Sequence, residues 1–320
     1  MDSNNRYFCK DVYNTAFSVN HTLIMLKDCC LCPRNCHANR IEYPLGYCNT
    51  DTGFHISSIC LHRGEEPPIS GPTGICNIFF SRCNLQCIYC QNYQISTLGP
   101  DVQKSVYTLD EVVSNIEFYL SYGCTHVGFV SPSHVIVQVK AIIEALQNRG
   151  HDPVFVYNSN GYDSVETLRS LEGLIDVYLP DLKYMDSGLA AKYSGAGNYP
   201  EAASAALKEM YRQKGSTLIL DEQGCAESGI LIRHLVLPGH VENSKAVLRF
   251  IAEELSPLVH ISLMSQYYPT PAVANHPQLG RQIKASEYEQ VLKEMRHLGM
   301  FRGWIQDFDS HASYRADFSL

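Results

Sequence analysis

Three closely spaced cysteines are the residues of this chain best suited to chemistry. They stand at Cys83, Cys87 and Cys90 in the string RCNLQCIYCQN, with the spacing C-x3-C-x2-C. A four-iron cluster needs four ligands, so three thiolates would leave one iron open to a ligand from outside the protein. The spacing therefore predicts an enzyme with a [4Fe–4S] cluster that binds a further cofactor directly on the metal.

A second group of cysteines lies nearer the N-terminus. Cys29, Cys32, Cys36 and Cys48 follow the pattern C-x2-C-x3-C-x11-C, with Cys30 as a spare thiol. Four thiolates complete either a tetrahedral zinc site or a closed iron–sulfur cluster. A closed site has no position for substrate, so two roles stay open. It is either a structural site that helps a small appendage to fold, or an electron relay.

The composition is that of a large globular protein. The chain has 320 residues, 45% hydrophobic content and a formal net charge of −8. It has no long run of Lys or Arg, and no apolar run near the ~20 residues of a membrane span. Thirteen cysteines without a secretion signal favour metal binding over disulfides. We therefore expect a cytoplasmic metalloprotein that binds neither nucleic acid nor membrane.

A Pro/Gly-rich stretch at 67–72 divides the chain into two predicted parts. Residues 1–70 form a Cys-rich metal-binding segment without periodicity, and residues 71–320 alternate apolar runs with helical patterns. Strands are predicted over 75–80, 125–130, 153–157, 174–179, 231–237 and 258–263. Helices are predicted from the Thr108–Glu111 capping box to Gly123, from Ser133 or His134 to Gly150, and over 163–171, 200–213, 243–255 and 286–298.

This alternation predicts an α/β fold with a parallel sheet and right-handed crossovers. Six strands suit a partial (β/α)6 barrel carrying the N-terminal Cys-rich metal-binding appendage, and an open doubly wound sheet is the alternative. No G-x-G-x-x-G follows the first strand, which weakens a dinucleotide-binding version. Active sites of parallel α/β folds lie at the carboxyl ends of the strands, and those ends are unusually polar here.

The cysteine motif, with Tyr89 just before its last thiol, resembles the signature of the radical S-adenosylmethionine (radical SAM) enzymes. From about residue 29 to about residue 306 the chain resembles uncharacterised homologues of pyruvate formate-lyase activating enzyme. The supporting strings are CPRNC (32–36), YLPDLKY (178–184), RHLVLPG (233–239) and MSQY (264–267). The resemblance implies a partial barrel whose open iron is chelated by SAM. It also implies cleavage of SAM to methionine and a 5′-deoxyadenosyl radical that abstracts hydrogen.

The same resemblance implies a set of SAM-binding residues. Asn160, Asp181 and Lys183 correspond to positions that contribute to SAM binding in the activating-enzyme family, and Arg233 is a further candidate. Asp181 is suited to accept from a ribose hydroxyl or the ammonium group. Lys183 and Arg233 are suited to neutralise the carboxylate. Tyr89 would lie against the cluster and adenine.

One departure from the family concerns the end of the second strand. Many activating enzymes have Gly-Gly-Glu there, whereas this chain has VSPSH at 130–134. Ser131 is therefore the candidate for the contact with the SAM amino group. His134, at a strand-to-helix junction, is expected to have a capping or packing role.

Several functions stay open at this point. A radical SAM enzyme would need a low-potential electron donor such as flavodoxin or ferredoxin. Its substrate is a glycyl radical enzyme, another peptide or protein, or a small molecule, and the alternative of another class is a non-catalytic iron–sulfur electron carrier. The candidate substrate residues are Gln266, Tyr267, Trp304 and Gln306.

Overall fold

The fold is built on one large, mostly parallel sheet. The computed structural model describes residues 25–42, 46–98, 102, 106–308, 310 and 318. The strands are β1 (Phe54–His62), β2 (Ile75–Phe80), β3 (Val106–Tyr107), β4 (His126–Val130), β5 (Val154–Asn158), β6 (Val177–Tyr178), β7 (Ile219–Leu220), β8 (Ala226–Leu235), β9 (His260–Met264) and β10 (Gly303–Ile305).

The strand order is β10-β9-β8-β6-β5-β4-β2-β1-β3, and β7 pairs with β8. Along this order, pairing is parallel from β2 to β10, and it is antiparallel where β1 joins β2 and β3 and where β7 joins β8. In the part of the chain that the structure describes, no pairing joins β10 to β3, so the sheet does not close. The predicted α/β fold with a partial barrel is confirmed.

Helices connect the parallel strands. They are α1 (Leu109–Ser121), α2 (Ile136–Asn148), α3 (Val165–Arg169), α4 (Ser187–Ser194), α5 (Tyr199–Lys214), α6 (Val241–Phe250) and α7 (Ala285–His297), with single turns at Pro67–Ser70 and Tyr93–Ser96. The capping box that opens α1 is present: the Thr108 hydroxyl accepts from the Glu111 amide at 3.2 Å, and the Glu111 carboxylate accepts from the Thr108 amide at 2.7 Å. Among the described residues, no helix is both long enough and apolar enough to cross a membrane.

Five of these strands and helices were absent from the sequence prediction: β1, β3, β7, β10 and α4. β10 extends the parallel sheet beyond the predicted last strand, α4 lies between β6 and α5, and β1 comes from the N-terminal side of residue 70. The domain boundary at residue 70 stays a prediction. β1 nevertheless belongs to the sheet, because it pairs with β2 from Ile56↔Phe80 to His62↔Ile75.

The main core lies between the sheet and its helices. It includes Val127 and Phe129 of β4, Phe155 of β5, and Ile142 of α2, all buried. A core on this scale fixes the positions of the strands and therefore of the loops that follow them. Those loops carry the candidate site.

Candidate active site

The carboxyl ends of the parallel strands open onto a cavity of about 660 Å³. The cavity brings together most of the residues that the sequence singled out, although they are spread over more than two hundred positions. Its lining includes Cys83, Cys87, Tyr89, Cys90, Ser131, Asn160, Asp181, Lys183, Arg233, Gln266 and Gln306.

Each sulfur of the three-cysteine loop accepts a hydrogen bond from a neighbouring side chain. The donors are Asn160 Nδ2 to Cys83 Sγ at 3.3 Å, Ser194 Oγ to Cys87 Sγ at 3.0 Å, and Ser96 Oγ to Cys90 Sγ at 3.2 Å. Burial raises the pKa of Cys83 to about 12 and that of Cys87 to about 11. The Cys83 and Cys87 thiols are therefore neutral without metal, and metal binding would release their protons.

Tyr89, just before the last cysteine of this loop, is buried. Its hydroxyl lies 2.6 Å from that of Tyr184, which in turn lies 2.8 Å from the Ser194 hydroxyl. Because Ser194 contacts Cys87, a chain of hydroxyl groups links the Tyr89 phenol to the Cys87 thiol of the same loop. Burial raises the pKa of Tyr89, so its phenol stays protonated and available as a donor.

Asp181 and Lys183, just after β6, form an ion pair with Nζ 2.5 Å from Oδ2. Burial opposes the charge on Lys183, but Asp181 together with Cys87 and Tyr199 outweighs burial and raises the pKa of the lysine. The Tyr199 hydroxyl on α5 lies 3.0 Å from the Asn160 carbonyl, 2.9 Å from the Asp181 carbonyl and 3.0 Å from the Lys183 amide. Tyr199, which sequence reasoning missed, thus holds the ends of β5 and β6 together.

Arg233, on β8, has two acidic partners that sequence reasoning also missed. Its guanidinium contacts Glu65 and lies 2.7 Å from Glu66, and all three side chains line the cavity. Burial opposes the charge, but the two carboxylates raise the pKa of Arg233. A ligand carboxylate would therefore have to compete with Glu65 and Glu66 for this cation.

Comparison with known proteins assigns this arrangement to a family. The profile of the radical SAM superfamily matches residues 77–251, more than half of the chain. The chain belongs to the radical SAM superfamily. A [4Fe–4S] cluster and SAM are the cofactors that this family implies, and the matched region contains the three-cysteine loop.

The relatives of this radical SAM chain add little about its substrate. The uncharacterized protein MJ0674 of Methanocaldococcus jannaschii is 29% identical over 276 residues, covering 84% of this chain and 74% of the relative. MJ0808 of the same organism is 23% identical over 173 residues, 48% of this chain and 49% of that protein. The FeFe-hydrogenase maturase HydG of Carboxydothermus hydrogenoformans matches the fold, with a TM-score of 0.50 and 13% identity. That match covers 70% of this chain and 52% of HydG.

The residues of the loop fit the cluster that the family implies. Three thiols face one cavity, each sulfur has a hydrogen-bond donor, and polar side chains such as Asn160, Asp181 and Lys183 share the remaining wall with apolar ones. Hydrogen bonds to ligand atoms orient metal ligands and tune the metal. The donor set is therefore that of a three-thiolate site with space for an additional ligand.

The residue that follows β4 has an unusual backbone conformation. Ser131 adopts a left-handed conformation, with φ of 51°, and donates its amide to the Asn158 carbonyl at 2.8 Å. This turn places Ser131 on the cavity wall and His134 behind it. His134 is fully buried, and burial lowers its pKa to about 3, so it is a neutral packing residue whose Nε2 donates to the Ser81 carbonyl at 3.2 Å.

Two predicted substrate residues of this radical SAM chain lie away from the cavity. Tyr267 is fully buried and donates its hydroxyl to the Leu279 carbonyl at 2.6 Å. Trp304 on β10 stacks on His260. Gln266 and Gln306 do reach the cavity, where Gln306 Nε2 donates to Gln266 Oε1 at 2.8 Å.

The second cysteine group lies in the N-terminal segment and is partly buried. Cys29, Cys32 and Cys48 are buried and Cys36 is exposed. Cys29 and Cys36 share a hydrogen bond that raises the pKa of Cys29 and lowers that of Cys36 to about 5. Arg40 donates to Cys29 Sγ at 3.8 Å, so the group has a buried cation at its edge.

A different trio forms the tightest set of possible ligands. Among the described residues, the three-ligand group whose donor atoms all lie within 4.8 Å of one another is Asp28, Cys30 and His37. His37 Nδ1 lies 2.7 Å from Asp28 and 3.6 Å from Cys30 Sγ. No three of the four predicted thiols meet that limit.

Proposed function

We propose that this chain binds a [4Fe–4S] cluster on Cys83, Cys87 and Cys90, binds SAM beside it, and abstracts a hydrogen atom from a peptide or protein substrate. The observation that carries the proposal is the convergence of the three thiols with Asn160, Asp181 and Lys183 on one cavity. When bound, the cluster and SAM supply the 5′-deoxyadenosyl radical, and the protein supplies orientation and exclusion of water.

The cavity residues have distinct proposed roles in binding SAM. Asn160 faces the cluster side, because its amide already donates to Cys83. The Asp181–Lys183 pair offers one acceptor and one donor, suited to the ammonium or ribose and to the carboxylate respectively. Ser131 is proposed to contact the amino group, and Tyr89 to lie against the adenine.

The role that we propose for Arg233 differs from the one expected from the sequence. Since Glu65 and Glu66 already neutralise it, it is better suited to position those carboxylates on the cavity wall than to bind the SAM carboxylate alone. Arg63 also lines the cavity, and its Nε donates to the Thr73 carbonyl at 3.4 Å. In the described part of the chain Arg63 has no carboxylate partner, so it is the freer cation for an anionic ligand group.

The substrate is proposed to enter where Gln266 and Gln306 line the cavity. Two amide side chains there are suited to the backbone groups of an extended peptide, each of which offers a donor and an acceptor. A glycyl radical enzyme is one such substrate, and a small molecule is the alternative. We further propose a reducing, cytoplasmic setting and a flavodoxin or ferredoxin as the electron donor.

The test is release of 5′-deoxyadenosine from SAM by the anaerobically reconstituted protein with dithionite. We expect product from the natural chain and loss of at least a hundredfold for Cys87→Ala, since the cluster loses a ligand. Cys60→Ala, which removes a thiol on β1 outside the cavity, is the matched control and should retain activity. Absence of 5′-deoxyadenosine from the natural chain would exclude the enzyme and favour an electron carrier or another metal-binding role, and equal product from Cys87→Ala would exclude Cys87 as a cluster ligand.

Substrate class is tested by deuterium transfer. Labelled peptides and labelled small molecules are incubated with the active protein, and 5′-deoxyadenosine is examined by mass spectrometry. Deuterium from a peptide supports the proposed class. Transfer from a small molecule alone would replace it.

A further inference from the structure

One buried carboxylate in the loop that follows β5 has no cationic partner. Asp163 is 2% exposed. Among the described residues no Lys, Arg or His forms an ion pair with it, and burial raises its pKa. A charge buried without a counter-ion opposes folding, so its presence has to be explained by the hydrogen bonds that it accepts.

Two hydroxyl groups donate to this carboxylate. The Tyr157 hydroxyl donates to Asp163 Oδ1 at 2.8 Å, and the Ser159 hydroxyl donates to Oδ2. Tyr157 is fully buried and Ser159 is 1% exposed. An ionised carboxylate only accepts hydrogen bonds, so it fixes the direction in which both hydroxyl protons point. The lone pairs of the Ser159 oxygen are thereby left free to accept.

Ser159 connects this carboxylate to the residue that contacts the cysteine loop. Its oxygen accepts from the Gly161 amide at 2.9 Å. Gly161 directly follows Asn160, whose Nδ2 donates to Cys83 Sγ at 3.3 Å. A path of hydrogen bonds and one peptide unit therefore leads from Asp163 to the Cys83 sulfur.

The direction of the protons along this path favours a carboxylate over a carboxamide. The Gly161 amide donates to Ser159, and Ser159 donates to Asp163. A carboxamide of equal size would turn an NH2 group towards one of the two hydroxyls, which would then have to accept. In either orientation the charge-assisted hydrogen bond from Ser159 is lost, and such bonds are roughly twice as strong as neutral ones.

The last hydrogen bond of this path ends on a proposed cluster ligand. Hydrogen bonds to the sulfurs are among the factors that set the reduction potential of an iron–sulfur cluster. A donor at a thiolate stabilises the reduced, more negative form of the cluster more than the oxidised form. The amide of Asn160, which donates to Cys83 Sγ, is therefore suited to raise the potential.

We propose that Asp163 is a positioning residue for the cluster. Through Ser159 and Gly161 it holds Asn160 in the orientation that donates to Cys83 Sγ, and it thereby raises the reduction potential of the cluster on that loop. The inference rests on the proposed function, because it assumes the cluster on Cys83.

Hydrogen exchange tests this path without the cluster. In the metal-free full chain, deuterium exchange at the Gly161 amide is measured by mass spectrometry and compared with the amides of α2. We expect Asp163→Asn to accelerate exchange at Gly161 by about tenfold, and Ser159→Ala, which removes the acceptor outright, by at least as much. Tyr157→Phe removes the other donor to the same carboxylate, so it is the matched control and should leave this rate unchanged. Unchanged exchange at Gly161 in Asp163→Asn, or equal acceleration in α2, overturns the proposal.

The midpoint potential of the reconstituted cluster tests the consequence, in an EPR-monitored titration without SAM. Loss of the Asp163 charge alone would raise the potential, whereas loss of the Asn160 hydrogen bond lowers it. We expect Asp163→Asn and Ser159→Ala each to weaken one-electron reduction about tenfold, a fall of about 59 mV. The double variant should fall no further, because both residues act on one path.

Contrary results are equally distinct. A raised or unchanged potential in Asp163→Asn overturns the proposal, and so does an equal fall in Tyr157→Phe. Should Asp163→Asn not fold, Asp163→Ala also removes the buried charge and is measured in its place, with the same expected and contrary results.

The two proposals fail separately. If the natural chain holds a cluster whose potential falls in the variants but releases no 5′-deoxyadenosine from SAM, the proposed function fails and the positioning role stands. If 5′-deoxyadenosine forms while Asp163→Asn has the potential of the natural chain, the positioning role fails and the function stands.

Discussion

At the residue scale, the charge on Arg233 holds the acidic part of the cavity wall together. Its side chain is 11% exposed and those of Glu65 and Glu66 are 8% exposed, so the three charges are largely removed from water. Removing one partner from a buried ion pair leaves an uncompensated charge, which typically destabilises by about 3–5 kcal/mol. We expect Arg233→Ala to lower the free energy of unfolding by about that amount, measured by urea denaturation.

Arg63→Ala is the matched control for this prediction, because it removes an arginine from the same cavity without breaking an ion pair. It should change the free energy of unfolding by no more than about 0.5 kcal/mol, as an exposed substitution does. If the two alanine variants are equally stable, the Glu65–Glu66–Arg233 cluster does not hold the wall.

Gly161, in the loop that carries Asn160, is required for a steric reason. Its φ is +79°, and a Cβ added there would lie 2.3 Å from the Asp181 carbonyl oxygen. Gly150, at the end of α2, has a φ of +82° and nothing within 4 Å of such a Cβ. Both alanine variants carry the left-handed backbone cost of roughly 1–2 kcal/mol, and Gly161→Ala adds the collision.

We therefore expect Gly161→Ala to be the less stable of the two by more than about 1 kcal/mol, as overpacking a tight site typically causes. It should also weaken SAM binding, measured by calorimetry, because the clash lies between the Asn160 and Asp181 loops. Equal stability and equal SAM affinity for the two variants would contradict this explanation.

At the scale of elements, a buried histidine joins three of them. His234 on β8 has Nδ1 2.6 Å from the Leu182 carbonyl, after β6, and Nε2 2.8 Å from Ser244 Oγ on α6. Burial lowers its pKa to about 4, with Asp181 opposing the shift and Lys183 adding to it. The unfolded value is about 6.5, so the folded chain binds fewer protons between these two values.

Stability from His234 is therefore fully present above about pH 6.5 and is lost as the pH falls towards 4. Within that range, one such histidine makes the free energy of unfolding rise by about 1.4 kcal/mol per pH unit. We expect His234→Gln to reduce the slope of unfolding free energy between pH 5 and 6, measured by urea titrations. An unchanged slope in His234→Gln would contradict this assignment.

The elements themselves were predictable where periodicity and length were strong. The buried runs that became β2, β4, β5 and β9 stood out, and Thr108 and Glu111 identified the start of α1 by their capping chemistry. β10 is only three residues long, and its pairing with β9 is non-local. Short strands of this kind are specified by the neighbouring strand and not by their own sequence.

Some residues of the site could likewise be predicted from the sequence, and others could not. Cys83, Cys87 and Cys90 have a spacing that is visible in the chain, and the polar strand ends follow from the fold. Glu65 and Glu66 gave no such signal, because their partner Arg233 is 168 and 167 positions away. Asn84 stands inside the motif, yet the hydrogen bond that its carbonyl accepts from Arg34 depends on how the N-terminal segment packs.

At the scale of the whole molecule, the N-terminal segment and the sheet are joined by a buried cation. Arg40 is 1% exposed. Its Nε donates to the Thr50 carbonyl at 2.8 Å, Nη2 to the Asp51 carbonyl at 3.0 Å, and Nη1 to the His134 carbonyl at 2.7 Å. The first two acceptors belong to the N-terminal segment, and the third follows β4. One side chain thus satisfies acceptors on both sides, which favours cooperative unfolding of the two parts.

We expect Arg40→Ala to lower the free energy of unfolding by about 3 kcal/mol or more, because it leaves several buried carbonyls without a donor. Fluorescence of Trp304, the single tryptophan, reports on β10, and labelling of the buried Cys32 thiol, quantified by mass spectrometry, reports on the N-terminal segment. In the natural chain the two signals should change at the same urea concentration. The control variant Arg296→Ala, on the exposed face of α7, should leave that concentration unchanged. In Arg40→Ala the Cys32 transition should come first, since the segment has lost its link to the sheet. Separate transitions already in the natural chain would show that the segment folds as an independent appendage.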